Sequence, residues 1–340
     1  MSALSGSFAA VPADPSNPHD AYFRHVLSRP ADAASELRSA LPENITRRID
    51  WSQLVLQPGS FVSAQLRSRY SDVLFRTRLD EHPAYIYLLI EHQSRSDRFM
   101  PLRMLEYLVN IWNQHRRLHP DSRTLPAVIP LVVHSNRHGR SWRAPTELAE
   151  LIDLDPAGRE ALKPYLPRLR FLLDDVAALD LAGLLARDLT PATRVMLALH
   201  KIAPQNAELG SDMLDLLDDL WALASGPGGT TELQAVMTYI LQVSDTTEDG
   251  LDPVIAQLGP RAKEALMTTA ERLRAEGEAR GEARGAARAR TEALVDLLDI
   301  KFGPLPGAVI EKVEAGSPEQ IRTWFRCSVT ADTLEQVFNG

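Results

Sequence analysis

The residues in this sequence best suited to chemistry are two carboxylates and an amide at the ends of two neighbouring strand patterns. Asp72 opens the segment "DVLF", and Glu91 and Gln93 follow the apolar run "YIYLLI". Because side chains alternate along a strand, Glu91 and Gln93 share a face that His92 does not. Carboxylates from adjacent strands offer the hard oxygen ligands that Mg²⁺ accepts beside waters and phosphates. A divalent cation held there would lower the pKa of a bound water and offset the charge of a phosphodiester.

The elements that must position these residues are a hairpin and the helices around it. "RYSDVLFRTRL" and "AYIYLLIEHQ" are typical of two strands, and "DEHP" between them predicts a turn. Helical patterns precede and follow this hairpin in "HDAYFRHVLS" and "MPLRMLEYLVNIWNQHRRLH", and "LPAVIPLVVHSN" is typical of another buried strand. The order helix, two or three strands, helix, strand predicts an α/β core with a mixed sheet flanked by helices.

The rest of the chain shows mainly helical patterns, among them "LPRLRFLLDDVAAL" and "PATRVMLALHKIA". The segment "EGEARGEARGAARARTEAL" repeats every four residues, so on a helix Gly277, Gly281 and Gly285 form a stripe of small residues beside a stripe of arginines. Glycine weakens an isolated helix, so this stripe indicates either self-association or a semi-flexible linker. Near the end, Ser317 is predicted to cap a helix of a small association module.

These patterns predict five regions, which together form an α/β N-terminal core, an all-α middle region and a small C-terminal helical domain. The regions are a disordered tail (1–17), the α/β domain (18–145), a helical region (146–260), the Gly/Arg-repeat helix or linker (261–290) and a small helical association domain (291–340).

Length and composition indicate an ordinary globular protein, with 44% hydrophobic residues in a chain of 340. The single cysteine, Cys327, excludes an internal disulfide framework and a cysteine-based zinc site, and it suits a reducing compartment. The N-terminus lacks the basic and apolar segments of a signal peptide, and no apolar run approaches the roughly 20 residues of a membrane span. We therefore expect a cytoplasmic protein with no membrane segment.

The charge of the chain is unevenly distributed. Residues 1–143 contain 18 Arg, no Lys and 13 Asp plus Glu, a net charge of +5, whereas the remainder carries −13. A basic front part predicts that any phosphate backbone binds there, although solvated arginines in an arginine-rich composition are the alternative. Eight of the nine histidines also lie in this part. None has the HExxH spacing, and no GxSxG motif occurs, so neither a zinc hydrolase nor a serine hydrolase is indicated.

The segments "PHDAYFRHVLS", "LPENITRRIDW", "PGSFV", "RYSDVLFR", "YIYLLIEHQS" and "MPLRMLEYLVNIW" together resemble the bacterial recombination-promoting nuclease / putative transposase family, within the PD-(D/E)XK nuclease superfamily. The resemblance covers residues 18–145, and the Gly/Arg repeat before a short helical domain is also similar to that family. It implies an endonuclease that uses Mg²⁺ or another divalent cation, acts on DNA and promotes recombination. It also implies that Asp72 and Glu91 bind the metal and that Gln93 stands where the superfamily usually has lysine.

Gln93 leaves two functions open, because a lysine can carry charge and activate water whereas an amide can only form hydrogen bonds. Either Gln93 orients the attacking water or the phosphate, or the chain is a catalytically weak module that binds DNA or protein on a nuclease fold. Further candidate site residues are Glu36, as an acid from the first helical segment, His19 and Asp20. The arginines that could grip phosphates are Arg67, Arg69, Arg95, Arg98 and Arg103.

Overall fold

The structure, a computed structural model, describes residues 17–58, 72–91, 96–136 and 138–338, and at 90 and 91 it describes only the backbone. The chain divides into two units, Met1–Thr269 and Ala270–Gly340. The helices before residue 260 are α1 (Pro18–Leu27), α2 (Pro30–Ala40), α3 (Glu43–Thr46), α4 (Met100–Leu118), α5 (Pro156–Leu162), α6 (Leu181–Leu185), α7 (Pro191–Ile202), α8 (Leu209–Asp212), α9 (Leu217–Ser225), α10 (Gly229–Val243) and α11 (Asp252–Leu258).

Five strands among the described residues form one mixed sheet in the first unit, in the order in which they follow along the chain. They are β1 (Val55–Leu56), β2 (Asp72–Leu79), β3 (His82–Glu91), β4 (Ala127–His134) and β5 (Leu172–Asp175). The first three strands pair antiparallel, and β4 lies parallel to both β3 and β5. The predicted mixed sheet flanked by helices is confirmed, and β2 and β3 form the predicted hairpin.

Alternation along the hairpin separates two apolar cores. Leu74 and Tyr87 pack on the face covered by α4, together with Tyr107 of that helix. Phe75 and Leu88 pack on the opposite face, in the larger core to which α1, α2 and α7 contribute. Both faces of the hairpin are therefore buried around these residues, where the sequence contains the apolar runs "VLF" and "AYIYLLI".

The helix predicted over "LPRLRFLLDDVAAL" is wrong, because this segment contains strand β5. Leu172–Asp175 extends beside β4, with Leu173 paired to Val132, and a short 3₁₀ helix follows at Val176–Ala178. Phe171, just before the strand, joins the core on the α4 face. An apolar run this short cannot be assigned by periodicity, and the hydrogen bonds that β4 offers decide its conformation.

The helices from residue 260 onward are α12 (Pro260–Phe302), α13 (Gly307–Glu314), α14 (Pro318–Thr330) and α15 (Leu334–Phe338). A small core in the second unit includes Leu298, Val313 and Trp324. The predicted cap is confirmed, since Ser317 and Gln320 form a reciprocal capping box at the start of α14. Among the described residues, no helix combines the length and apolar character needed to cross a bilayer.

Candidate active site at the sheet edge

The strand register sets a row of polar residues across one edge of the sheet. Asp72 opens β2 opposite Leu89, two residues before the end of β3. Glu91, the last residue of β3, pairs with His134 at the end of β4, and His134 pairs with Asp175 at the end of β5. Because paired residues share a face and the strand period is two, the register assigns all four polar positions to the α4 face. Open α/β sheets commonly bind ligands at the carboxyl ends of their parallel strands.

Asp72 is a buried carboxylate with defined partners. Its side chain is only 5% exposed, and the Tyr87 hydroxyl donates to Oδ2 at 2.8 Å. An Nη atom of Arg24, from α1, lies 3.2 Å from Oδ1. Burial raises the pKa of the Asp72 carboxyl, and the bonds from Tyr87 and Arg24 only partly oppose this shift. The two partners thus hold Asp72 in place, but burial still disfavours its ionised form. A bound cation would stabilise that ionised form.

A pair of stacked tyrosines supports Asp72 from the α4 side. The rings of Tyr87 and Tyr107 lie 4.6 Å apart. Burial, followed by the nearby Asp72 carboxylate, raises the pKa of Tyr107 to about 12 and raises that of Tyr87 as well. Both phenols therefore stay protonated near neutral pH, and it is the Tyr87 hydroxyl that donates a hydrogen bond to Asp72.

His134 and Asp175 form the other half of the row, and sequence reasoning missed both. His134 is buried, and its Nδ1 lies 2.7 Å from Oδ1 of Asp175. Its Nε2 lies 3.3 Å from the side-chain amide nitrogen of Asn136. An amide nitrogen only donates, so Nε2 is the acceptor there, and the Nδ1–H group donates the hydrogen bond that Asp175 accepts. The signal was present, since "VVHSN" ends a buried strand in polar residues just as "LLIEHQ" does.

The predicted residues of the β3 end are described only in part. Glu91 occupies the position beside His134, but the structure describes its backbone alone. Gln93 and His92 lie outside the described residues. The roles assigned to Glu91 and Gln93 therefore stay predictions.

The arginines predicted to contact phosphates differ in their exposure and in their partners. Arg103, on α4, forms an ion pair with Asp97 at 2.7 Å and is mostly buried. Arg98 is exposed just before α4. Arg67, Arg69 and Arg95 lie outside the described residues.

Glu36 is not part of the row, and its prediction as a site acid is wrong. It lies on α2, fully buried, and its Oε2 lies 3.2 Å from Arg187. Arg187 also binds Asp174 at 2.8 Å, and Asp174 pairs with Val133, which belongs to the core on the opposite face. Burial, and then the charge of Asp174, raise the pKa of Glu36 despite Arg187. The sheet therefore separates this carboxylate from Asp72.

His19 and Asp20 also occupy structural positions at the start of α1. The Tyr239 hydroxyl lies 2.8 Å from Nδ1 of His19, and the His19 carbonyl lies 3.1 Å from Nε2 of the buried His200. Asn17 caps the helix, and Asp20 stands in its first turn. These contacts fix α1, which carries Arg24, against α7 and α10.

The donor chemistry of Asp72 fits a hard divalent cation. One oxygen receives Tyr87 and the other faces Arg24, so each keeps a further lone pair. A cation would offset the burial that now raises the pKa of this carboxyl. Within the described ranges, no cluster of three or more His, Cys, Asp or Glu side chains is arranged to hold a metal.

Comparisons with known proteins identify relatives across most of the chain. Residues 17–226 match the family described as "Putative transposase, YhgA-like". The chain is 35% identical over 266 residues to "Recombination-promoting nuclease RpnA" of Escherichia coli strain K12, covering 77% of this chain and 85% of that protein. It is 31% identical over 263 residues to "Recombination-promoting nuclease RpnD" of Escherichia coli O157:H7, covering 76% and 94%. It is 31% identical over 268 residues to "Inactive recombination-promoting nuclease-like protein RpnE" of strain K12, covering 77% and 83%. No solved structure matches.

Proposed function

Because the chain belongs to the YhgA-like putative transposase family, we propose that it is a metal-dependent endodeoxyribonuclease that hydrolyses phosphodiester bonds in recombination. Relatives named as recombination-promoting nucleases support the nuclease role. The observation that carries the proposal is the buried Asp72 carboxylate at the sheet edge, in a row with the positions of Glu91 and His134. The hairpin, helix and parallel strand around this row are the arrangement expected of a PD-(D/E)XK-like core.

Asp72 and Glu91 would hold Mg²⁺ or another divalent cation. When bound, the cation lowers the pKa of a coordinated water and offsets the charge on the phosphate. The protein's own contribution is orientation. The Tyr87 hydroxyl and the Arg24 guanidinium fix the plane of the Asp72 carboxylate from two sides. The closely packed α4 face limits the access of water to that carboxylate, whose side chain is only 5% exposed.

Gln93 completes the proposed site as an orienting group. Its amide can donate to a phosphate oxygen or accept from a water, but it cannot take up a proton near neutral pH. We assign it the positioning of the attacking water or of the phosphate, and assign no acid or base step to it.

Plasmid cleavage tests the proposal. The intact chain is incubated with supercoiled plasmid and Mg²⁺, Mn²⁺ or Ca²⁺, and nicked and linear products are measured. Asp72→Asn keeps the size of the side chain and resembles the neutral carboxyl that burial favours, so the fold is expected to persist. We expect cleavage by the unmodified chain and a loss of at least about a hundredfold in the variant, as for other groups that stabilise a transition state.

Asp80→Asn provides a matched control at the other end of the same strand hairpin. Asp80 is exposed in the turn, pairs with Arg48 and adopts φ +51°, a conformation that asparagine tolerates. This variant should cleave like the unmodified chain. Equal cleavage by the Asp72 and Asp80 variants would exclude the assigned site.

A second function is favoured by one specific observation, the relative named as inactive at 31% identity. In this alternative the chain binds DNA on the same fold without cleaving it. Binding of duplex DNA together with no cleavage under any of the three cations would support the alternative. In either case we place the protein in the cytoplasm with DNA as its partner, and we propose self-association through the C-terminal helices.

A further inference from the structure

An open cleft of about 650 Å³ lies beside the row of polar residues. One wall follows β3 and leads into α4, and the other follows β4. Both segments leave the carboxyl ends of the two central parallel strands, the edge at which Glu91 and His134 stand. The described residues that line the cleft are Ser96, Arg98, Gly139, Arg140, Ser141, Arg143, Ala144 and Pro145.

The lining of this cleft is suited to anions. Arg98, Arg140 and Arg143 are exposed, and none of them forms an ion pair with another described residue. The described lining contains two serine hydroxyls and no carboxylate. By contrast Arg103, a short distance along α4, is already neutralised by Asp97. The cleft thus presents three uncompensated guanidinium groups, the group best matched to phosphate oxygens.

The wall after β4 is a built loop, and Asn136 holds its two ends together. The side-chain oxygen of Asn136 accepts from the backbone N–H groups of His138 at 3.0 Å and Arg140 at 3.1 Å. Its side-chain nitrogen donates to the carbonyl of Arg140 at 2.6 Å. Gly139 supplies the turn with φ +60°, which other residues adopt only with strain. The backbone from which Arg140 projects is therefore fixed.

The same loop is anchored to the row and to the opposite wall. The nitrogen of Asn136 also meets Nε2 of His134, and Oδ2 of Asp175 accepts from the backbone N–H of Trp142 at 2.8 Å. The backbone N–H of Arg143 donates to the Ser96 hydroxyl at 3.1 Å, which joins the two walls. Hydrogen bonds thus link His134 and Asp175 to the loop that carries Arg140 and Arg143.

We propose that this cleft binds the phosphate backbone of the DNA substrate through Arg98, Arg140 and Arg143. The inference rests on the proposed function, which it deepens by naming the surface that holds the nucleic acid next to the carboxylates. Three cations around an open cleft fit consecutive phosphates of a strand better than one small anion, and backbone contacts of this kind position a duplex without reading its sequence.

Binding measured without cleavage tests this surface. The full chain is titrated onto fluorescein-labelled DNA duplexes of two unrelated sequences in EDTA, and anisotropy is followed between about 50 and 200 mM salt. The triple variant Arg98→Gln, Arg140→Gln, Arg143→Gln should lower the slope of log K against log salt by about 2.7. The ratio of its Kd to that of the unmodified chain should therefore increase about fortyfold when the salt concentration falls from about 200 to 50 mM. The increase should be the same for both sequences.

Two controls separate this surface from net charge and from folding. The triple variant Arg116→Gln, Arg117→Gln, Arg123→Gln removes the same charge at and just beyond the other end of α4, a helix of 19 residues that is about 28 Å long. It should keep the unmodified slope. Replacing Arg98, Arg140 and Arg143 by lysine should restore most of the slope, since a lysine also pairs with phosphate. Circular dichroism and the melting temperature confirm that each variant folds.

Equal losses in the two glutamine variants, unchanged binding by the cleft variant, or no binding by the unmodified chain would each overturn the inference. Tighter binding of an RNA duplex than of a DNA duplex would overturn the assignment to DNA. Failure of the proposed function is separate, because the cleft variant can lose DNA binding in EDTA while no cation supports cleavage by the unmodified chain. That combination would retain the binding surface and exclude the nuclease.

Discussion

The buried carboxylate of Glu36 predicts a dependence of stability on pH that one substitution should remove. Glu36 is fully buried beside Asp174, and the two carboxylates share the single guanidinium of Arg187. Its other oxygen has no hydrogen-bond partner among the described residues. Desolvation by burial, with the Asp174 charge, raises the pKa of Glu36 above its ordinary value of 4.5. Glu36→Gln keeps the size and the neutral state of the protonated glutamic acid side chain but does not titrate.

Proton linkage determines whether the free energy of unfolding rises or falls with pH. Between pH 4.5 and the raised pKa, folded Glu36 keeps a proton that the unfolded chain has released. The unfolded state then binds fewer protons, so the free energy of unfolding falls as the pH rises through that window. One proton corresponds to about 1.4 kcal/mol per pH unit at most. The stability gained by Glu36→Gln over the unmodified chain should therefore grow with pH at up to this rate and level off above the folded pKa.

Thermal melting from pH 4.5 to pH 8 measures this difference. For a unit of this size, 1 kcal/mol corresponds to about 2–4 °C, so the two melting curves should separate by up to about 3–6 °C per pH unit within the window. Glu43→Gln, a substitution of an exposed carboxylate on α3, is the control and should follow the unmodified chain at every pH. Parallel curves for Glu36→Gln and the unmodified chain would refute the reasoning, because they would show that Glu36 does not hold a proton in the folded state.

Three other substitutions each test the role of one residue. Tyr87→Phe removes the hydroxyl that donates to Asp72, so the unfolding free energy should fall by about 1 kcal/mol in urea titrations and the pKa of Asp72 should rise further. A plasmid-cleavage profile that does not move to higher pH would contradict this. His134→Ala leaves Asp175 without its ring partner and should cost about 1–3 kcal/mol in the same titrations, with a weaker anchor for the arginine cleft. Stability equal to that of the unmodified chain would show that the pair of His134 and Asp175 is dispensable for folding. Gly281→Ala places a methyl group in open space on α12 and should raise the helix stability by about 1 kcal/mol in thermal melts followed by circular dichroism. A loss of stability with a lower molar mass in light scattering would show instead that the glycine stripe packs against a second copy.

Local patterning was enough to predict the strand that Asp72 opens. The two-residue period of "SDVLF" puts Asp72 and Leu74 on one face, and in the structure Leu74 packs against α4. The apolar runs of β2 and β3 around a short turn also predicted the hairpin correctly. These features depend only on the two-residue period of a strand and on contacts between segments close in the chain.

Three other features depended on contacts between distant segments. "LLDD" became a strand because β4 offered it a parallel edge, although the same letters suit a helix. Glu36 looked like a site acid from the first helical segment, but the faces of the sheet place it against Arg187 instead. His134 gained its role only when the register set Asp175 beside it.

The sequence by itself determined which residues could serve chemistry and which strands carry them, because strand period and apolar runs are local properties. Only the tertiary structure decided which of those residues meet. Strand order brings the ends of β2, β3, β4 and β5 to one edge, and burial there raises the pKa of Asp72. The same order joins the loops that carry Arg98 and Arg143 into one cleft. Neither the register between distant strands nor the desolvation of a carboxylate is written in any single segment, since both arise from the neighbours that folding supplies.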